Sequence, residues 1–474
     1  MKEDKKTRKK IFGIAGTAFF VLFLFLPVPA GLAVAASAHG YGGRAVMMVI
    51  GALVFAICWW VGEVVHDWCT ALILQLMWVI AAGMDFRLVF AAFSNTTVWL
   101  MIGAFSLGAA ITGTGLLTRV SLRLMRLFPA NYRGQVLAMM TAGTICGPLM
   151  PSTTAKVVLG SKLACGSADL MGYGSGTKGR SGLFLAAWTG FDLTAPMFIS
   201  ASFMGYSMVA SLPGEYRDVS WIQWFIAMLP WGALIFVSMF FVITLCYRPE
   251  RKVSFSKKEI TAKAEALGPV SKNEKITGVI VIACLIFWIL EKATGISAGT
   301  VALAGAVLCF AFKVLGSKDL KSLPWGFIIF VGVVLNMGEM FVSTGISDWL
   351  TALVGPVMKQ IDSPVLVIAM VFLITAAMRF AVASQTATIT ILTSLFAPIV
   401  LAAGISPFLA GLVVYTAVPV WIAYYQNPTY LAALEGMDGT IRHGDTLKAA
   451  CIYVGAALLV NIINIPYWMM LGYM

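Results

Sequence analysis

Long apolar stretches separated by a few polar residues recur along almost the whole chain, and most have the length of a bilayer crossing. At roughly 20 residues per crossing helix, the pattern predicts spans over 11–34, 44–62, 68–84, 95–117, 182–210, 221–246, 276–291, 297–312, 324–349, 404–434 and 449–472. Two further apolar segments, 134–160 and 364–402, are interrupted at their middles by the clusters Ser152-Thr153-Thr154 and Ser384-Gln385-Thr386, 232 positions apart. Polar groups that break a helix persist at membrane depth only where protein or a water-filled cavity satisfies them. The two segments are therefore expected to be re-entrant hairpins with the clusters at their tips. The fold class expected is an all-α polytopic membrane protein of 11 transmembrane helices plus two re-entrant helical hairpins.

The order of elements repeats. Each half has a span ending in Thr-Gly-aliphatic, Thr114-Gly115-Leu116 and Thr344-Gly345-Ile346, and the cluster follows 37 and 39 residues after the glycine. Beyond each cluster lies a span broken by small and polar residues, Thr189-Gly190-Phe191-Asp192-Leu193-Thr194 in one half and Gln426-Asn427-Pro428-Thr429 in the other. The connector 118–133 carries Arg119, Arg123, Arg126 and Arg133, whereas 350–363 carries only Lys359. Opposite charge bias implies opposite sides of the membrane, hence an inverted repeat. The division expected is 1–246 for the first repeat, 247–275 for a cytoplasmic linker and 276–474 for the second repeat. Residues 118–133 read as an interfacial amphipathic helix with its arginines toward headgroups. Pro148, Pro151 and Pro398 fit breaks in the hairpin helices.

Composition supports the membrane assignment: 60% of residues are hydrophobic and 11% charged, where soluble proteins carry about 25% charge. The net charge of +12 raises the question of nucleic acid, and placement answers it. With the hairpins entering and leaving on one side, 26 of the 33 Lys and Arg fall on the N-terminal side and 5 opposite, with Lys156 and Arg379 inside the hairpins. Basic loops are cytoplasmic, so the N-terminus is expected in the cytoplasm and the C-terminus outside a bacterial-type inner membrane, with lipid contact and no nucleic-acid partner. Basic residues before an apolar run ending in Ala36-Ser37-Ala38 resemble a cleaved leader, but the run is long enough to span and its removal would spoil the odd crossing count. Eight scattered cysteines without CxxC spacing read as packing residues. Three histidines and no HExxH, GxSxG or P-loop argue against an enzyme, a metal site or a cofactor. Glu63, His66 and Asp67, at a span end, read as solvated.

A hairpin tip ends one helix and starts another, so free N–H groups and a positive dipole end attract anions. Hydroxyls add donors for carboxylate oxygens or lone pairs for a cation. Two tips approaching from opposite faces match a small dicarboxylate. Ser152, Thr154, Ser384 and Thr386 are the first candidate ligands, followed by Thr153, Gln385 and Asn427. A single such cluster more often bonds to carbonyls one turn earlier; its recurrence in equivalent places favours a site. Lys156 and Arg379 each need a partner, because a basic residue at the bilayer centre costs roughly 2.5–3.5 kcal/mol. Asp192 and Glu339 are candidates, and compensation of a transported anion is the alternative. An anion channel is the competing class, separable from a carrier by saturation and counterflow.

Four stretches bear on family: Met150-Pro151-Ser152-Thr153-Thr154-Ala155-Lys156, Ala383-Ser384-Gln385-Thr386-Ala387, Gly190 to Phe198, and Leu267-Gly268-Pro269-Val270-Ser271-Lys272-Asn273-Glu274-Lys275. On these the chain resembles the divalent anion/sodium symporter (DASS) family over essentially its full length, and within it the bacterial citrate/succinate and plastid dicarboxylate exchangers. The resemblance implies a homodimer in which a transport domain, approximately 134–246 and 363–474, moves elevator-fashion against a scaffold, approximately 11–133 and 276–362. It implies substrates such as succinate, malate, fumarate, citrate or tartrate. The family's Ser-Asn-Thr signature maps onto Ser152, Thr153, Thr154 and onto Ser384, Gln385, Thr386; its broken-helix ligands map onto Gly190 to Thr194 and onto Asn427, Pro428 and Thr429. Thr153 and Gln385 stand where sodium-coupled relatives have asparagine. Exchange is therefore expected, with Lys156 and Arg379 partly standing in for cations; sodium- or proton-coupled symport is the alternative.

Overall fold

The computed structural model describes residues 2–94, 96–150, 152–249, 267–358, 363–382 and 384–474; Pro151, Lys359, Ala383 and residues 250–266 of the expected linker lie outside them. Among the described residues, seven helices are long and apolar enough to cross a bilayer: Gly43–Gly62, Phe86–Thr114, Trp221–Cys246, Trp325–Ser343, Pro364–Ala381, Gln385–Ala402 and Leu447–Met470. An eighth arises if Thr7–Phe25 and Ala30–Ala38 count as one bent span. The span expected over 11–34 is therefore bent, a feature the apolar run alone does not show. The axis turns by 82° across Leu26-Pro27-Val28-Pro29, where each proline lacks an N–H and bars its predecessor from helical backbone. The helix expected over 68–84 is also shorter than a full crossing. Asp67–Ile80 has 14 residues, which extend about 21 Å at 1.5 Å per residue against a core of about 30 Å.

Both interrupted segments fold as helix, break, helix. The first is Tyr132–Cys146, a 3-10 turn Gly147–Leu149 holding Pro148, and Thr153–Leu170. The second is Pro364–Ala381, an extended Val382, and Gln385–Ala402. Pro398 departs from expectation by lying inside the second helix, not at its break. Both spans expected to be broken are broken. Lys178–Trp188 passes into a π-turn at Thr189–Leu193 and two 3-10 turns before helix resumes at Phe203–Ala210. Pro407–Ala417 and Pro428–Glu435 are separated by ten non-helical residues, 418–427.

The paired Thr-Gly motifs do the same local work in each half. Gly115 and Gly345 have φ of 79° and 76°, a left-handed conformation open to glycine at little cost, and each ends one helix just before the next, Leu116–Leu127 and Ile346–Met358. The first of these successor helices is amphipathic, as expected, with Arg123 and Arg126 exposed. Arg119 is a correction: it turns inward, donating to both Glu274 carboxylate oxygens (2.6 and 3.3 Å) and to the carbonyls of Leu267, Gly268 and Pro269. Ser271 and Glu274 also close a capping box on helix Lys272–Ile289, so the stretch 267–275 both starts that helix and receives Arg119.

Packing joins the breaks to each other. Gly143 lies so close to Gly190 that a Cβ on either would sit 2.4–2.5 Å from backbone atoms of the other helix, the small-residue contact by which membrane helices approach. Trp188, from the first broken span, packs edge-on to Trp421 (5.8 Å) and Tyr430 (5.5 Å) of the second, with Tyr453 behind Trp421 (5.4 Å). All four rings are essentially buried, and such pairs are worth about 0.5–1.5 kcal/mol each beyond area burial. The two irregular regions thus share one buried aromatic core.

Candidate functional site

Each hydroxyl cluster begins a helix. Ser152 is the N-cap of Thr153–Leu170 and Ser384 the N-cap of Gln385–Ala402. Ser384 Oγ accepts from Ala387 N (3.2 Å) and donates to Asp67 Oδ2 (2.9 Å). The remaining first-turn N–H groups and both dipole ends favour negative charge nearby.

A cleft of about 720 Å³ gathers three segments that are distant in sequence: Thr154 from the first cluster, Ser384, Gln385 and Thr386 from the second, and Pro428 and Thr429 from the second broken span. Gln385 Oε1 accepts from Thr429 Oγ1 (3.3 Å). Its amide nitrogen is buried with no hydrogen-bond partner among the described residues. Such an unpartnered donor is unusual in a folded interior. The facing wall was not anticipated. Lys9, Glu63, His66 and Asp67 line the same cleft, with Val64, Val65 and Phe203. Glu63, His66 and Asp67 therefore border the cleft and are not simply a solvated span end; nothing in their composition distinguishes a turn that faces water from one that faces a cavity.

The other expected ligands are elsewhere. Ser152 opens onto a neighbouring cavity of about 380 Å³, and Phe203 borders both spaces. Thr153 is buried, donating to Ser202 Oγ (3.0 Å). Thr194 is buried against Thr144 Oγ1 (2.9 Å) and the Gly190 carbonyl (2.9 Å). Asn427 is an N-cap: its oxygen accepts from Tyr430 N (2.9 Å) and its nitrogen donates to the Pro419 carbonyl (3.1 Å). These three side chains hold the breaks in shape.

Lys156 and Arg379 are fully buried, and neither lines the cleft. Lys156 Nζ donates to the carbonyl of Ala201, in the first broken span. Arg379 donates to the carbonyls of Val382 (2.6 Å), Val418 (3.2 Å) and Gln426, and to Thr388 Oγ1 (3.2 Å). Each cation thus runs from an interrupted segment to carbonyls freed by its own half's broken span. Asp192, also buried, interacts electrostatically with Lys156, while Glu339 interacts with Arg217. Among the described residues no group of three or more His, Cys, Asp and Glu is placed to hold a metal ion.

Residues 8–474 match the family described as the sodium:sulfate symporter transmembrane region. The chain belongs to this family. Among curated relatives, the chloroplastic dicarboxylate transporter 1 of Arabidopsis thaliana is 24% identical over 410 residues, 83% of this chain and 71% of its own. A Staphylococcus saprophyticus protein named sodium-dependent dicarboxylate transporter SdcS is 22% identical over 425 residues, 84% of this chain and 79% of its own. Among solved structures, the YdaH transporter of Alcanivorax borkumensis superposes with a TM-score of 0.58 at 15% identity, over 82% of this chain and 88% of that one; at that identity the likeness is one of fold alone. Family members are transporters.

Proposed function

We propose that this chain is a secondary active transporter of di- or tricarboxylates that works as an anion exchanger. Both hydroxyl clusters and the second broken span converge on one cleft, and its volume of about 720 Å³ falls in the range of small-molecule sites. One substrate carboxylate is received by Ser384, Thr386, the free Gln385 amide and Thr429, and the other by Thr154, with Ser152 reaching from beyond Phe203. Relatives named as dicarboxylate transporters support that class of anion. Because the N-terminal segment and residues 63–67 are expected on the cytoplasmic side, the cleft opens inward. Its walls come from the expected scaffold and the expected transport domain together, as an elevator motion in a homodimer of eleven-span protomers requires.

The observation that carries exchange is the placement of Lys156 and Arg379. Unwound carbonyls of broken helices are what coordinate sodium in coupled carriers, and here the carbonyls of Ala201, Val418 and Gln426 accept from fixed cations. With those oxygens occupied by protein cations, the return step is expected to require a bound anion on each side. The test is uptake of labelled succinate into proteoliposomes. Uptake that requires internal dicarboxylate and ignores a sodium gradient is expected; gradient-driven uptake into empty vesicles would establish symport, and non-saturating flux without counterflow a channel.

A further inference from the structure

We propose that Asp67 sets the affinity of this site, its carboxylate competing for the Ser384 hydroxyl that a substrate carboxylate needs. The inference rests on the cleft being the carboxylate site.

Asp67 is the first residue of helix Asp67–Ile80, where an acidic side chain ordinarily serves its own helix's N-terminus. Here Oδ2 instead accepts from Ser384 Oγ at 2.9 Å, across 317 residues of sequence. Ser384 has one hydroxyl proton. Its oxygen already accepts from Ala387 N, so the only donor it can offer is the one Asp67 takes. A substrate carboxylate can use Ser384 as a donor only after Asp67 lets go. Charge acts in the same direction: Asp67 and Glu63 line the cleft, opposed by Lys9 and with His66 beside them, and an anionic Asp67 repels a second carboxylate at the same hydroxyl.

The geometry is thus that of a ligand mimic. Asp67 presents a carboxylate to the N-terminal end of Gln385–Ala402 as a substrate would, from a helix remote in sequence. In the empty protein this bond joins residue 67 to the second interrupted segment; loading replaces it with a bond to substrate. Affinity is therefore lower than the donors alone would give, and removal of Asp67 raises it.

Succinate binding to the full-length protein in detergent, measured by titration calorimetry, tests this. Asp67→Ala is expected to tighten binding about five- to tenfold. Asp67→Asn, which keeps an accepting oxygen but not the charge, is expected to give a smaller gain. In a Ser384→Ala background, Asp67→Ala should give at most a small gain, which a merely structural role for Asp67 would not produce. Unchanged or weaker binding by folded Asp67→Ala overturns the inference, and if that variant does not fold, the same result with Asp67→Asn does so. Should Ser384→Ala itself bind succinate as the parent does, the site assignment fails; if it weakens binding while the Asp67 variants do not strengthen it, the competitor inference alone fails.

Discussion

Arg379 is stabilised at full burial chiefly by oxygen acceptors that a broken helix would otherwise leave empty. Among the described residues, three carbonyls and a threonine hydroxyl accept from it. Replacement by methionine keeps bulk but strands buried carbonyls, each at about 1–3 kcal/mol. Arg379→Met is therefore expected to lower the thermal midpoint in detergent by several degrees, followed by tryptophan fluorescence, and an unchanged midpoint would show that those carbonyls find other partners. At the site, Ser384→Ala removes a donor to a charged group and should raise the half-saturating dicarboxylate concentration about tenfold, since about 1.4 kcal/mol corresponds to a factor of ten. Ser152→Ala, facing the adjacent cavity, should have a smaller effect in the same transport assay. The polar clusters were legible because a hydroxyl cluster in an apolar run has few explanations. Side-chain direction was not. Ser152, Thr153 and Thr154 are consecutive, yet they face a small cavity, the protein interior and the cleft, a division set by the helix turn that starts there and invisible in residue type. Residue type offered Asp192 and Glu339 as partners for the buried bases; Asp192 does interact with Lys156, while backbone carbonyls, which every sequence has, supply many of the bonds.

At the level of elements, breaks were more readable than lengths. Gly190 and Asp192 within an apolar span marked the first broken helix, and the structure gives it a π-turn there, a form that clusters at functional sites. The contact that makes Gly190 necessary, with Gly143, pairs two positions whose proximity no local pattern encodes. Gly190→Ala should place its methyl about 2.5 Å from the Met140 carbonyl oxygen, costing roughly 1–3 kcal/mol as overpacking. Gly113→Ala, with open space around it inside a helix, should be neutral or stabilising by up to about 1 kcal/mol. Thermal unfolding of the pair in detergent checks both signs at once. The proline pair at 27 and 29 was visible as well, yet a strong apolar run concealed the 82° bend it produces. Arg119 shows the opposite failure: its charge suggested a headgroup, and the capping stretch 267–275 captured it. Truncating one partner of a buried ion pair costs about 3–5 kcal/mol, so Arg119→Ala and Glu274→Ala should each destabilise strongly, while the double variant should lose far less than their sum.

For the whole molecule, the alternation of charge between loops and the repeated order of elements predict two inverted halves. A consequence follows for the termini. Alkaline phosphatase fused after Met474 should be active in a bacterial host and inactive when fused in the loop after Leu170; the reverse pattern would invert the assigned topology. What charge and periodicity could not supply is the meeting of Thr154, Ser384 and Thr429 around one space, which depends on how the halves pack through Trp188, Trp421 and Tyr430. That convergence is the physical basis of the proposed transport, and equilibrium succinate binding to the purified protein and to a Thr154→Ala/Ser384→Ala double variant addresses it most directly. The double variant should bind more than tenfold more weakly while remaining folded; equal affinity in the two proteins would contradict the site.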